Sequence, residues 1–247
     1  MYNSLEKKIL KSSLIKTEDI LGVEKRTLQN KMQSLVSNGK VVKIKNGLYA
    51  MVNPLDNDIY ANKFEIATSM YEDAYIVYHT ALEYYGLSNQ IYNLVQVATK
   101  HIERKREFRG YTFEFHDLKT QKYVDDIYQN SLIRVTSIER TIVDCLNRIR
   151  MAGGIEEVSM AIRSITYIDE KKLLDVLETY NLNKLYNKVG YVLSEINSSL
   201  VSKDFLNICK ERLSKKIVDM RENKKLSSTI NKEWNIIVPK YIINEEY

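Results

Sequence analysis

The chain has 247 residues, 44% hydrophobic and 28% charged, with 8 glycines, 2 prolines and a formal net charge of +5. That usage excludes a disordered, collagen-like or low-complexity chain, and apolar runs such as Ile236-Ile237-Val238 fall far short of the roughly 18 residues of a membrane helix. The residues after Met1 lack the basic-then-apolar order of a signal peptide, so a soluble, cytoplasmic protein of one or two domains is expected at about 150 residues per domain.

Cys145 and Cys209 form no CxxC pair, and each sits in an apolar helical pattern, so buried free thiols are expected. His79, His101 and His116 are far apart and match no zinc spacing. No metal or other cofactor is expected. Charge is uneven: residues 1–54 hold ten Lys/Arg and four acids, a net +6. Residues 55–202 net −4, residues 203–225 net +4, and the last 22 residues net −1. A basic head on a mildly acidic body suits a polyanion-binding module, although lysine-rich helices can also be merely solvated.

In chain order, Leu5, Ile9 and Leu10 have helical spacing, so Ser4 to about Lys11 reads as a first helix. Thr17 before Glu18-Asp19 is an N-cap with acids in the first turn, opening a short second helix that Gly22 ends. Leu28, Met32, Leu35 and Val36 share one face of a third helix from about Glu24 to Ser37, closed by Asn38-Gly39. Val41-Val42-Lys43-Ile44 and Leu48-Tyr49-Ala50-Met51-Val52 read as strands joined by the turn Lys45-Asn46-Gly47.

That order is a winged helix-turn-helix, in which the third helix enters the major groove and the hairpin lies along the backbone. Its periodicity points Arg26, Asn30, Gln33 and Ser37 outward, with Lys25 at its start and Thr27 and Ser34 flanking the apolar stripe. These side-chain types read base edges or bind phosphates. Lys43, Lys45 and Asn46 on the hairpin would contact phosphate, fixing position rather than sequence. Winged helices also mediate protein contacts without DNA.

Pro54 and Asp56-Asn57-Asp58 mark the expected boundary between a DNA-binding domain of residues 1–54 and an effector domain of residues 55–247. A helix over 59–71, a strand over 74–78 and a helix over 80–85 stopped by Gly86 follow. Strands are expected at 94–98, 111–115 and 132–135, then a helix capped by Ser137 and running through Arg150. After about residue 155 the pattern is helical to about Lys225. The expected fold class is α+β: a winged helix-turn-helix, then a mixed small-sheet and helical C-terminal domain.

Three motifs follow in order: Gly47-Leu48-Tyr49, the run His79-Thr80-Ala81-Leu82-Glu83-Tyr84-Tyr85-Gly86-Leu87, and Val135-Thr136-Ser137-Ile138-Glu139-Arg140-Thr141-Ile142-Val143-Asp144. In this order they resemble the AbiEi-type antitoxin family. The resemblance covers most of residues 5–165. It departs at His79-Thr80, where Ser-His or similar pairs are common, and the lysine-rich region after 200 lies outside it. It implies a DNA-binding autorepressor that counteracts a nucleotidyltransferase-like toxin encoded beside it, often in phage abortive infection, with or without a stable complex. The alternative is a stand-alone winged-helix regulator or interaction module with no toxin partner.

Within the last motif, Arg140 and Asp144 are i,i+4 neighbours able to pair, and Glu139 suits the helix N-terminus. Ser137, Glu139, Arg140 and Asp144 therefore form either a structural cluster or a partner contact. No GxGxxG, GxxxxGK[ST], GxSxG or kinase-type loop occurs, and Asp125-Asp126 has no third carboxylate at a convincing spacing. A non-enzyme is expected. The basic stretches 100–109 and 203–225 would offer a second positive face, for the toxin or for further phosphates. With no heptad to hold a dimer, the expected state is a monomer in solution that pairs cooperatively on repeats in its own promoter.

Overall fold

The computed structural model describes residues 4–117, 119–126 and 133–242. In chain order they form α1 (Ser4–Ile9), β1 (Leu14–Lys16), a 3-10 turn (Thr17–Asp19), α2 (Lys25–Ser37), β2 (Val41–Lys45), β3 (Leu48–Met51) and α3 (Lys63–Ser69). Next come β4 (Tyr75–Ile76), α4 (Tyr78–Tyr84), β5 (Leu94–Thr99), β6 (Arg106–Phe108), β7 (Tyr111–Asp117), β8 (Val124–Asp126) and β9 (Arg134–Thr136). The remainder runs α5 (Ile138–Asn147), α6 (Ile155–Ser164), α7 (Glu170–Tyr180), α8 (Asn183–Ile196), α9 (Lys203–Glu211), β10 (Val218–Asp219), β11 (Ser228–Asn231) and β12 (Ile236–Pro239). The class is mixed α+β. The elements divide into two compact units.

The first unit is drawn from residues 1–76, 93–119 and 126–134. Its N-terminal part is a three-stranded antiparallel sheet in the order β1-β3-β2, pairing Leu14 with Ala50 and Val41 with Met51. Helices α1 and α2 close over it through one buried cluster, which contains Ile9, Ile15, Leu28, Met32 and Leu35. Each large aliphatic side chain so buried stabilises the fold by roughly 1.5–3 kcal/mol. Glu6 is buried and takes Lys31 Nζ at 2.7 Å and Lys40 Nζ at 2.6 Å, tying α1 to the middle of α2 and to the chain just past its end. The second element here that the sequence presents as a helix is the single 3-10 turn, and β1 precedes it.

The expected boundary at Pro54 does not coincide with the division between the units, because residues 53–58 fold into a bonded turn. Asn53 N donates to Asp58 O at 2.7 Å, Asn57 N to Asn53 O at 2.9 Å, and Val52 bridges to Ile59. Helix α3 then starts at Asn62, whose side chain accepts from Phe64 N and Glu65 N while Glu65 returns a bond to Asn62 N, a complete capping box. A second sheet in this unit is ordered β6-β7-β5-β4. Strands β5 and β7 run parallel, and Val95 through Thr99 are buried without alternation, as a strand covered on both faces requires. Strand β6 occupies part of the basic stretch 100–109, which the sequence presents as a plain connection.

The second unit comprises residues 77–92, 120–125 and 135–247. Helix α5 is its axis, with every residue from Glu139 to Leu146 buried. Leu132, the expected start of the preceding strand, lies outside the described residues. The region after 155 is not helical throughout, and this corrects the expected architecture. Helix α9 stops at Glu211, so Arg212, Lys215, Lys216, Arg221, Lys224 and Lys225 stand on turns and strand edges rather than along a basic helix. The physical reason is a period of two at Val218 and Met220, both buried, which lets β10 pair with β12 in a small sheet of order β10-β12-β11. Among the described residues, no helix is long and apolar enough to cross a membrane.

Trp234, the single tryptophan, is buried against α8, where Gly190 leaves its ring room; a Cβ at Gly190 would run into the six-membered ring. Gly190→Ala is therefore expected to destabilise the protein by about 1–3 kcal/mol through overpacking, despite alanine's better helix propensity. Denaturation followed by tryptophan fluorescence measures this, and an unchanged midpoint would count against the packing described. A second expectation concerns acid. Lys31 and Lys40 hold the Glu6 carboxyl below its ordinary value of 4.5. A depressed carboxylate contributes stability that is present above that value and lost as pH falls through the folded pKa. Glu6→Gln should lower stability at neutral pH and flatten the acid limb of a stability-against-pH curve.

Candidate functional site

Helix α2 begins after Glu24, whose side chain does not cap the helix backbone but accepts the Thr27 hydroxyl at 3.1 Å. Leu28, Met32 and Leu35 face the core, so the 100° step per residue turns Lys25, Arg26, Thr27, Asn30, Gln33, Ser34 and Ser37 to solvent, where all are exposed. Ser37 donates to Gln33 O at 3.0 Å, and Asn38 reaches the Ser34 hydroxyl at 3.4 Å. The side chains of Arg26, Asn30 and Gln33 make no hydrogen bond or ion pair among the described residues. They are uncommitted donors and acceptors on one helical face. Gly39 follows at φ +68° and donates to Val36 O, ending the helix where a Cβ would be strained.

The β2–β3 hairpin, turned by Asn46 and Gly47, the latter at φ +81°, meets α2 on its Lys25–Gln29 side, next in sequence to the row Arg26, Asn30 and Gln33. Lys43 and Asn46 are exposed. Between helix and hairpin lies an open groove of about 620 Å³, whose polar lining includes Lys25, Gln29, Lys43 and Asn46, with Glu18 as its acid. The sequence brings these residues to one surface through a turn, a helix and a hairpin that share a single small core.

Lys45 is not part of that surface, which corrects its expected role. A register shift between Lys43 and Lys45 breaks the period of two and turns the Lys45 side chain inward. Its Nζ donates to Met70 O at 2.5 Å and lies 3.6 Å from the centroid of the Tyr71 ring, which in turn stacks on His101 at 4.7 Å. Burial lowers the pKa of this ammonium. Lys45 is half-buried, and its charge is engaged within the first unit.

The Ser137–Asp144 segment forms a separate cluster, within the second unit. The Ser137 hydroxyl accepts from Arg140 N at 3.4 Å as the N-cap of α5. Arg140 is 1% exposed; its Nη1 donates to Thr120 O at 2.8 Å and Lys122 O at 2.7 Å, and its Nε faces Asp144 at 3.3 Å. Asp144 also accepts the Tyr180 hydroxyl. Burial pushes the Asp144 carboxyl up, and Arg140 and Tyr180 oppose that shift. Glu139 accepts from Asp169 N at 3.1 Å and faces Lys172 at 3.5 Å. All four motif residues are buried, so the cluster clamps segment 120–122 onto α5 and presents no side chain for a partner to contact. A further buried pair was not legible from spacing: His79 Nε2 lies 3.2 Å from Glu157 Oε1, which also accepts from Asn89 N at 2.7 Å.

No family model matches the chain, and no curated protein matches it. Among solved structures, the chain is similar to the crystal structure of the RV2827C protein from Mycobacterium tuberculosis, with a TM-score of 0.63 at 9% identity. The similarity covers 92% of this chain and 86% of that one. At that identity it is a likeness of fold, which extends over nearly the whole α+β architecture.

The clamp makes its own prediction. Asp144→Ala leaves the Arg140 guanidinium buried without its counter-charge, an expected cost of about 3–5 kcal/mol. The exposed Thr27→Ala should cost within about 0.5 kcal/mol. Urea midpoints compare the two, and a similar small loss in both would contradict the structural role of the motif.

Proposed function

We propose that this protein is a winged-helix DNA-binding regulator that represses its own promoter and acts as the antitoxin to a nucleotidyltransferase-like toxin in a phage-defence operon. The observation that carries the DNA-binding part is the exposed, uncommitted row Arg26, Asn30 and Gln33 on α2, together with a hairpin whose Lys43 and Asn46 are exposed and share a groove with Lys25 and Gln29 of the same helix. The element order α1-β1-turn-α2-β2-β3 and the strand order β1-β3-β2 support reading α2 as the recognition helix and the hairpin as the wing. Arginine suits guanine and Asn/Gln suit adenine in the major groove, whereas Lys25 and Lys43 suit phosphates. The antitoxin part rests on the resemblance of the His79–Leu87 and Val135–Asp144 motifs to the AbiEi-type family. Both roles belong to the cytoplasm, with double-stranded DNA and the toxin as partners and no catalysis by this chain.

Replacing Arg26 and Asn30 together with Ala is expected to cost about 1–3 kcal/mol per lost base contact. Mobility shift on the gene's own upstream region reads this, and unchanged binding by the double variant would overturn the recognition-helix assignment. Co-expression with the neighbouring open reading frame tests the antitoxin role. Growth arrest by the neighbour alone, relieved by this protein, supports it; a neighbour without toxicity leaves a regulator with no toxin.

A further inference from the structure

The turn after α5 carries Arg148 and Arg150. Together with Lys188 of α8 and Asp219, Arg221 and Glu222 around the end of β10, they line a cavity of about 320 Å³ within the second unit. Its two acids are already engaged. Asp219 is held by Arg221 at 2.8 Å, and Glu222 accepts from Ile155 N at 2.8 Å, at the start of α6 where the helix dipole favours a carboxylate.

The cations are not matched in the same way. Lys188 is 7% exposed, and its Nζ donates to one described group, the neutral Leu146 O at 2.7 Å near the end of α5. Holding that helix end takes one of the three ammonium hydrogens. No carboxylate pairs with Lys188 among the described residues, and a buried ammonium without a counter-charge is costly. Burial, helped by Lys184 and opposed by Asp219, lowers its pKa to about 8. Arg150 donates to Glu222 O at 2.6 Å, leaving most of its fork free, and the exposed Arg148 makes no hydrogen bond or ion pair among the described residues.

We propose that this cavity binds a phosphoryl group of a small molecule, with Lys188 as the buried point charge and Arg148 and Arg150 as the outer, fork-shaped donors. Four cations against two carboxylates leave the lining a net +2, which suits a multiply charged phosphoryl group better than a single carboxylate, and planar guanidinium forks match its oxygens. The volume lies at the small end of ligand cavities, too small for a macromolecular segment. None of these residues belongs to α2 or the hairpin, so the inference stands apart from the DNA-binding reading.

The test is calorimetric titration and thermal unfolding of the full chain with pyrophosphate and with a nucleoside diphosphate, against acetate at equal ionic strength. At least one phosphorylated probe is expected to raise the unfolding midpoint by several degrees where acetate does not; the stronger of the two identifies free or esterified phosphate. Arg148→Gln should weaken Kd about tenfold, and Lys188→Met should abolish the shift. Should Lys188→Met not fold, Arg148→Gln decides alone, since Arg148 is exposed and bonded to nothing that the fold needs. The Arg26/Asn30 double alanine variant should keep the full response. A midpoint unmoved by both probes, an unchanged Kd in Arg148→Gln, or loss of the response in the Arg26/Asn30 variant would overturn the site.

Discussion

The burial of Leu28, Met32 and Leu35 along one stripe of α2 is the constraint on which the proposed DNA-binding surface depends. Once that stripe meets Ile9, Ile15 and Val41, the rotation of the helix is determined, and with it the outward direction of Arg26, Asn30 and Gln33. A change of one position in the stripe would move the polar row by 100° and separate it from the hairpin. Glu6 reinforces this setting by holding Lys31 on the helix and Lys40 just beyond it. The apolar contacts supply the stability; the ion triad fixes which way the helix lies.

Charge in this protein divides into groups that hold the fold and groups left in water. Lys31, Lys40 and Lys45 belong to the first kind, and so does Arg140, whose guanidinium satisfies two carbonyls and a carboxylate at once. Lys25, Arg26 and Lys43 belong to the second. The net +6 of residues 1–54 therefore overstates what a polyanion would meet. Of the seven other cations, Lys25, Arg26 and Lys43 stand on the helix and hairpin, while Lys7, Lys8, Lys11 and Lys16 lie on α1, the loop after it and β1, and where they stand matters more for phosphate contact than the total.

Much of this was legible in the sequence where the signal is local. The stripe on α2, the glycines at 39 and 47, and Ser137 as the cap of α5 each follow from spacing or from one residue's backbone preference. The Arg140–Asp144 pair was legible too, because four residues is one helical turn. What spacing could not show were partners distant in sequence. The carbonyls of Thr120 and Lys122 lie 20 and 18 residues before Arg140, and Glu157 lies 78 after His79. Strand β1 has a single buried side chain, Ile15, and becomes a strand by pairing with β3 across the whole of α2. Strand β10 lies in a lysine-rich stretch whose composition favours helix, β11 and β12 lie past the end of the helical pattern, and a register shift reverses the side of Lys45.

The sharpest measurement is the salt dependence of promoter binding, compared between Lys43→Ala and Lys45→Ala. Each phosphate contact contributes about 0.9 to the slope of log K against log salt. Lys43 faces solvent on the hairpin, whereas Lys45 is turned onto Met70 and Tyr71. Removing Lys43 should make the slope shallower by about one, and removing Lys45 should leave it unchanged. A flat slope for the unaltered protein, or equal losses from the two variants, would contradict the proposed placement of the hairpin on a DNA backbone.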